Sequence, residues 1–138
     1  MNVQPYISFE GRAQEALDFY KGAIGAKVDV VMHYKDAPPD MKAQMSLESM
    51  DKVMHAAFHV GDTQVMASDG RCTGKASFGG ISLTINAGSN EEAEKLFNAL
   101  AQGGQVGMSM SETFFAHRFG VVSDKFGVGW MVLNPKQP

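Results

Sequence analysis

Residues 52–70 read KVMHAAFHVGDTQVMASDG, and this stretch decides the fold of the chain. Two short apolar runs lie on either side of the dipeptide Gly61-Asp62, which is typical of the corner of a β-hairpin. Residues 114–134, FFAHRFGVVSDKFGVGWMVLN, have the same layout with a longer turn at Asp124 to Gly127. A hairpin that recurs in this way indicates an internal duplication.

The residues before the first hairpin predict one helix and two further strands. Apolar residues recur at steps of three and four between Arg12 and Ile24, and Gly25 is suited to end a helix there. Pro38-Pro39 breaks regular structure between the second strand and the hairpin. The predicted strands of the first half are Val3 to Phe9, Lys27 to Tyr34, Val53 to Val60 and Thr63 to Ser68.

The second half predicts the same order of elements. Ser89, with Glu92 three residues later, forms a capping box for a helix that Gly103-Gly104 ends. Alignment of the halves places His55 on His117 and Met66 on Met131. The predicted strands are Gly80 to Ala87, Gln105 to Ser111, Phe114 to Val122 and Val128 to Leu133. We therefore predict an α+β protein built from two tandem βαβββ modules.

Composition excludes several classes of function. The 12 basic and 15 acidic residues are scattered and give a net charge of -3, so no basic patch is present for a nucleic-acid partner. We expect no membrane partner, because no apolar stretch approaches the roughly 20 residues that span a bilayer. The single cysteine, Cys72, excludes an internal disulfide, and the chain has no signal-peptide pattern. We expect a cytoplasmic protein.

The segments PYISFEGRAQEALDFYKGAIGA, VMHAAFHVGD and FGVVSDKFGVGWMVLNP resemble the PhnB-like subgroup of the vicinal oxygen chelate superfamily. This superfamily includes glyoxalase I, bleomycin-resistance proteins, fosfomycin-resistance enzymes and extradiol dioxygenases. The resemblance implies a half-open β-cup, the glyoxalase/bleomycin-resistance fold, with a ligand site on its concave face and usually a homodimer. It covers residues 1–138 as one domain, with modules at about 1–70 and 79–138 and a linker at about 71–78.

The subgroup is often named after 3-demethylubiquinone 3-methyltransferase. No glycine-rich loop followed by an acidic residue is visible in the sequence to hold S-adenosylmethionine in the Rossmann manner. We therefore expect no cofactor of that kind.

In metal-dependent members of the superfamily, the resemblance implies ligands on the first and last strands of each module. These positions fall at about Pro5 and Met66 in the first module and at about Ser82 and Met131 in the second. Proline cannot ligate, serine is a poor ligand, and thioethers do not suit hard or borderline cations. We expect no metal at these positions.

Strand alternation predicts that the histidines face the concave side. The face opposite them is wholly apolar and is expected to lie against the helix; it carries Met54, Ala56, Phe58 and Val60. We expect a small-molecule ligand to contact His55, His59, Met66, Ser82, Phe115, His117 and Met131. Each histidine has a second interpretation, in which it only bonds a neighbouring strand or a second subunit, and a new two-histidine metal site also stays open.

Other candidate residues have structural interpretations. Asp69 and Asp124 are expected to cap turns, and Trp130 to lie in the core. Glu10 is expected to be solvated at a strand exit. Cys72 lies in a glycine-rich connector without an obvious base, which argues against a nucleophile.

Two hypotheses of function follow. The first is a metal-independent protein that binds a small molecule in the cup, similar to bleomycin-resistance proteins. The second is a glyoxalase-like or lyase/isomerase-like enzyme that uses a histidine base or an unpredicted divalent metal. The sequence identifies no catalytic residue.

Overall fold

The computed structural model describes residues 1–137, and the chain divides into two compact units, Met1–Ala76 and Ser77–Pro138. The first unit follows the predicted order, with short helical turns in the irregular segment at Tyr34–Asp36 and Leu47–Ser49. Its strands and helices are β1 (Tyr6–Ser8), α1 (Ala13–Ile24), β2 (Lys27–His33), α2 (Pro39–Lys42), β3 (Val53–Val60) and β4 (Thr63–Ser68).

The first sheet has the strand order β1-β4-β3-β2. Strand β1 runs parallel to β4, and the other two pairs are antiparallel. The predicted hairpin is confirmed: Val60 lies opposite Thr63, and Gly61 adopts a positive φ of 57° at the corner. Strand β1 is shorter than predicted, since Val3 is 93% exposed and contributes nothing to the core.

Helix α1 covers one face of this sheet. Its buried side chains include Leu17 and Tyr20, and the Tyr20 ring stacks on Phe58 of β3 with 5.8 Å between ring centroids. The helix ends at Gly25 in the left-handed conformation, as predicted. Because Phe58 points to the helix, strand alternation directs His55, Ala57 and His59 to the opposite face.

The elements of the second unit are β5 (Ser82–Asn86), α3 (Asn90–Leu100), β6 (Gln105–Ser111), β7 (Ala116–Ser123) and β8 (Gly129–Pro135). They repeat the arrangement of the first unit, with the strand order β5-β8-β7-β6. Gly120 faces helix α3, because a Cβ at that position would lie 2.7 Å from the Phe97 ring. Trp130 is only 2% exposed, which confirms that it belongs to the core.

The N-terminus of α3 confirms half of the predicted capping box. The Ser89 hydroxyl accepts the backbone N–H of Glu92 at 3.1 Å. The Glu92 carboxylate, however, accepts a hydrogen bond from the backbone N–H of Gly88 at 3.4 Å. In a complete capping box it would accept the backbone N–H of Ser89, the N-cap residue. None of the helices within residues 1–137 combines the length and apolar character needed to cross a bilayer.

Strand pairing corrects the alignment of the two halves. Met66 lies opposite Ala57, whereas Met131 lies opposite Val121. If the two methionines are equivalent, the residue equivalent to His55 is Phe119, two positions beyond His117. The predicted equivalence of the two histidines is therefore wrong by two residues. The longer turn between β7 and β8 shifts the pairing of these strands.

Candidate functional site

The face of the first sheet opposite α1 carries Tyr6, His55, His59 and Asp29, and we call it the open face. Tyr6 of β1 pairs with Met66 of β4, which pairs in turn with Ala57 of β3, and Ala57 with Val30 of β2. These four residues form one row across all four strands. Tyr6 and Val30 are 53% and 40% exposed, whereas Ala57 is only 5% exposed, so the two ends of the row are the accessible part.

Tyr6 and His55 meet at one side of this row. Their ring centroids lie 5.9 Å apart, and the Tyr6 hydroxyl lies 3.5 Å from His55 Nδ1. His55 also pairs with Met32, which is 38% exposed. A ligand that approaches the row would therefore contact the aromatic ring of Tyr6 and a ring nitrogen of His55.

His59 lies on the other side of the row, in contact with an acid. Its Nδ1 is 2.5 Å from Asp29 Oδ2, and the side chains of the two residues are 41% and 36% exposed. The Gln64 amide donates to the same Asp29 oxygen at 3.3 Å, and Gln4 donates to Gln64 at 2.8 Å. The open face thus has a polar group on each side of an apolar row.

The turn at residues 70–73, which follows β4, packs closely against Ser8 and Glu10. Glu10, at an unusual φ of 51°, accepts the backbone N–H groups of Arg71 and Thr73 at 2.9 and 3.3 Å. The expectation that Glu10 is merely solvated is therefore wrong. Gly70 has φ of +55°, and a Cβ there would lie 2.3 Å from Ser8 Oγ, so no side chain fits at this position. Among the described residues, Ser8 Oγ is buried without a hydrogen-bond partner.

Two weak acids flank this turn. Burial raises the pKa of the Tyr34 hydroxyl, and the nearby Cys72 and Asp69 raise it further. This hydroxyl donates to the Gly70 carbonyl at 2.5 Å. Burial likewise raises the pKa of the Cys72 thiol, and a hydrogen bond with Ser49 lowers this pKa only in part. Both groups therefore stay protonated at neutral pH, which removes Cys72 as a ready nucleophile.

The predicted site residues of the second unit are less closely grouped. Met131 lies on the face opposite α3, next to Thr84 and Val121 in register. Ser82 is exposed, and it pairs with Gly129 two positions before Thr84. His117 is exposed and falls at a register shift between Ala116 and Arg118, so alternation does not fix the direction of its side chain.

Phe115 belongs to a chain of aromatic rings. Its centroid lies 5.1 Å from that of Phe114 and 5.2 Å from that of Phe119, both in edge-to-face geometry. Phe114 is 92% exposed and Phe115 40% exposed. These rings offer an accessible aromatic surface at the start of β7.

The metal ligands implied by the sequence resemblance do not fit the residues present. The register partners of Met66 and Met131 on the first strands are Tyr6 and Thr84, one and two residues from the expected positions Pro5 and Ser82. Each pair still combines a thioether with a neutral hydroxyl, which is a poor set for a hard cation. Within residues 1–137, no group of three or more His, Cys, Asp or Glu side chains is arranged to hold a metal ion.

Three residues of the open face were not predicted from the sequence. Asp29 is one, since it sits at a register shift between Val28 and Val30 where simple alternation fails. Gln64 and Tyr6 are the others, and pairing of β4 with β3 and β1 brings them to the face. Alternation along β4 could have indicated Gln64: it shares a face with Met66, whereas Val65 and Ala67 between and after them are buried.

Solved structures share this fold over nearly the whole chain. Protein PA1353 from Pseudomonas aeruginosa is 36% identical, with a TM-score of 0.84 and 99% of both chains covered. A PhnB protein from Bacillus cereus is 25% identical, with a TM-score of 0.79, and the match covers 97% of this chain and 99% of that one.

A more distant structure shows the wider relationship of the fold. The fosfomycin resistance protein FosX from Mesorhizobium loti is 11% identical, with a TM-score of 0.61, and the match covers 99% of this chain and 92% of that one. The predicted α+β glyoxalase/bleomycin-resistance fold is therefore confirmed. A family model described as 3-demethylubiquinone-9 3-methyltransferase matches residues 1–133. The chain belongs to this family, the PhnB-like group.

Proposed function

We propose that this protein binds a small amphipathic molecule against the open face of its first sheet, without a divalent metal at the positions implied by the superfamily. The observation that carries the proposal is the row of Tyr6, Met66, Ala57 and Val30, in which Tyr6 and Val30 are exposed and Ala57 is buried, with His55 on one side and the Asp29–His59 pair on the other. Ligand sites in proteins are mostly apolar surfaces with a few polar groups that set orientation.

The side chains at the last-strand positions support a metal-independent mode of binding. Met66 and Met131 provide flexible, polarisable contact area, and neither supplies the carboxylate that a hard cation requires. The ligand would then be held by apolar contact and by hydrogen bonds from Tyr6, His55 and His59. The homodimer expected from the resemblance stays a prediction.

An enzymatic role is the second candidate, and one contact favours it. Asp29 holds Nδ1 of His59, which is how a carboxylate orients a histidine that accepts a proton at Nε2. The family description also includes methyl transfer. The sequence offers no glycine-rich loop for S-adenosylmethionine, so we do not propose that reaction.

Fluorescence titration with 8-anilinonaphthalene-1-sulfonate tests the binding proposal. We expect saturable binding that is unchanged by EDTA and weakened at least about fivefold by Met66→Asp, which places a charge in the apolar row. Met41→Asp is the matched control, because Met41 is 48% exposed in α2, outside the open face. Equal affinity of wild type and Met66→Asp would reject the proposed location.

A further inference from the structure

We propose that Asp29 and His59 form a proton-accepting pair that binds a hydroxylated aromatic molecule of the phenol class on the open face. This inference rests on the proposed binding function and adds to it a class of ligand and a proton-transfer step. It assigns a role to Asp29, which nothing in the sequence pattern had marked.

The backbone of β2 is shaped to bring Asp29 to His59. Lys27 pairs with His59, Val28 with Phe58, and Val30 with Ala57, so Asp29 is the extra residue of a β-bulge. The contact with His59 shows that its carboxylate lies on the open face. Without the bulge, Lys27 and Val30 would point to opposite faces.

The contact assigns the protonation pattern of the imidazole. A carboxylate 2.5 Å from Nδ1 accepts a hydrogen bond from Nδ1–H, so the neutral ring that makes this bond keeps its lone pair on Nε2. The Gln64 amide donates to the same carboxylate oxygen, and Gln4 donates in turn to Gln64, which fixes the position of the acid. The ring nitrogen left free for a ligand is therefore an acceptor.

The apolar row next to His59 indicates the class of ligand. Ala57 lies two residues from His59 on the same strand, a separation of about 7 Å along the face. Met66 lies opposite Ala57, and methionine sulfur makes favourable contacts with aromatic rings. An aromatic ring in contact with Met66, beside the buried Ala57, would place a hydroxyl substituent within reach of Nε2.

Transfer of the proton from the ligand hydroxyl to Nε2 of His59 needs no further reactant. The ligand O–H bond breaks, its electron pair stays on the phenolate oxygen, and the proton forms a new N–H bond at Nε2. The imidazolium then faces the Asp29 carboxylate, which offsets its charge. Lys27 pairs with His59 in register and so lies on the same face, where its positive charge would favour the phenolate. The proton returns to the oxygen when the ligand leaves.

The probe for the test is 4-nitrophenol, whose phenol and phenolate forms absorb at different wavelengths. Binding is measured by saturation-transfer NMR and ionisation by absorbance, at a pH where most of the free probe is protonated. We expect wild type to raise the phenolate fraction of bound probe, His59→Gln to abolish this rise, and Asp29→Asn to reduce it at least about fivefold. The control is His33→Gln, because His33 is 3.8 Å from Asp36 in a comparable pair at the end of β2.

A second readout separates positioning by Asp29 from a general effect on the fold. Nitrogen-15 NMR of the imidazoles reports which ring nitrogen carries the proton. We expect the Nδ1–H form of His59 in wild type and a larger share of Nε2–H in Asp29→Asn. An unchanged tautomer in Asp29→Asn would overturn the role of Asp29.

The outcomes separate this inference from the binding proposal. Bound 4-nitrophenol with the spectrum of the free probe would overturn proton transfer and leave the binding proposal intact. Absence of 4-nitrophenol binding, when anilinonaphthalene sulfonate still binds in a Met66-dependent manner, would overturn the phenol class. Loss of binding of both probes would reject the proposed function itself.

Discussion

The carboxylate of Asp69, just after β4, accepts the backbone N–H of Ala13 in the first turn of α1 at 2.8 Å, across 56 residues of sequence. The same carboxylate accepts the N–H groups of Gly11 and Val53, each at 2.8 Å. Arg12, at the N-cap position of the helix, makes no side-chain capping bond. Asp69 therefore caps α1 from the sheet and ties three segments of the first unit together.

Asp69→Ala should destabilise the protein by at least about 3 kcal/mol, because three N–H donors would lose a charged acceptor in a buried position. Equilibrium unfolding in urea measures this difference. Asp62→Ala, at the exposed corner of the first hairpin, is the control and should change stability by less than about 0.5 kcal/mol. Similar unfolding midpoints for the two variants would refute the capping role.

Tyr34→Phe should cost about 1 kcal/mol at neutral pH, because it removes the hydrogen bond to the Gly70 carbonyl. It should also change the response to alkali. Burial raises the pKa of Tyr34 above its ordinary value of 10.0, so its contribution is complete below that pH and is lost as pH rises through the folded-state value. Unfolding curves measured across this range should fall less steeply for the variant, and equal slopes would contradict the assignment.

Two glycine-to-alanine changes should have opposite signs. At Gly120 a Cβ would lie 2.5 Å from Met110 Sδ and 2.7 Å from the Phe97 ring, so Gly120→Ala should destabilise by about 1–3 kcal/mol. At Gly22, in α1, nothing lies within 4 Å, so Gly22→Ala should stabilise by about 0.5–1 kcal/mol. Thermal unfolding of both variants checks the pair: a Gly120→Ala variant that is not destabilised would show that the packing of α3 is misassigned, and a destabilised Gly22→Ala would contradict the open space at that position of α1.

The Cys72 thiol should react slowly with Ellman's reagent at mildly alkaline pH, because burial raises its pKa and the thiolate is the reactive form. We expect a rate at least about tenfold below that of the same chain unfolded in guanidinium chloride. A folded protein that reacts as fast as the unfolded chain would show an activated cysteine.

Elements that depend on local patterns were predicted well. The bounds of β3 and β4 match because Gly61-Asp62 fixes the hairpin and apolar residues alternate on both sides of it. Asp124 was expected to cap its turn, and it accepts the N–H groups of Phe126 and Val128 as well as the indole N–H of Trp130. In these cases the partners lie within a few residues of one another.

Features that depend on distant pairing were not predicted. The role of Asp69 requires α1, β3 and β4 to meet, and no local signal encodes that meeting. Asp29 reaches His59 only because β2 carries a bulge, and the run KVDVVMH gives no sign of one. The assignment of His55 to a position equivalent to His117 failed for the same reason, since register is a property of strand pairs.

Elemental analysis of the protein, purified without chelator or affinity tag, tests the central claim most directly. Metal-independent binding on the open face predicts manganese, iron, cobalt, nickel, copper and zinc contents far below one ion per chain. A stoichiometric divalent ion that survives dialysis would contradict the claim, because it would require protein ligands other than the hydroxyl and thioether groups of Tyr6, Met66, Thr84 and Met131.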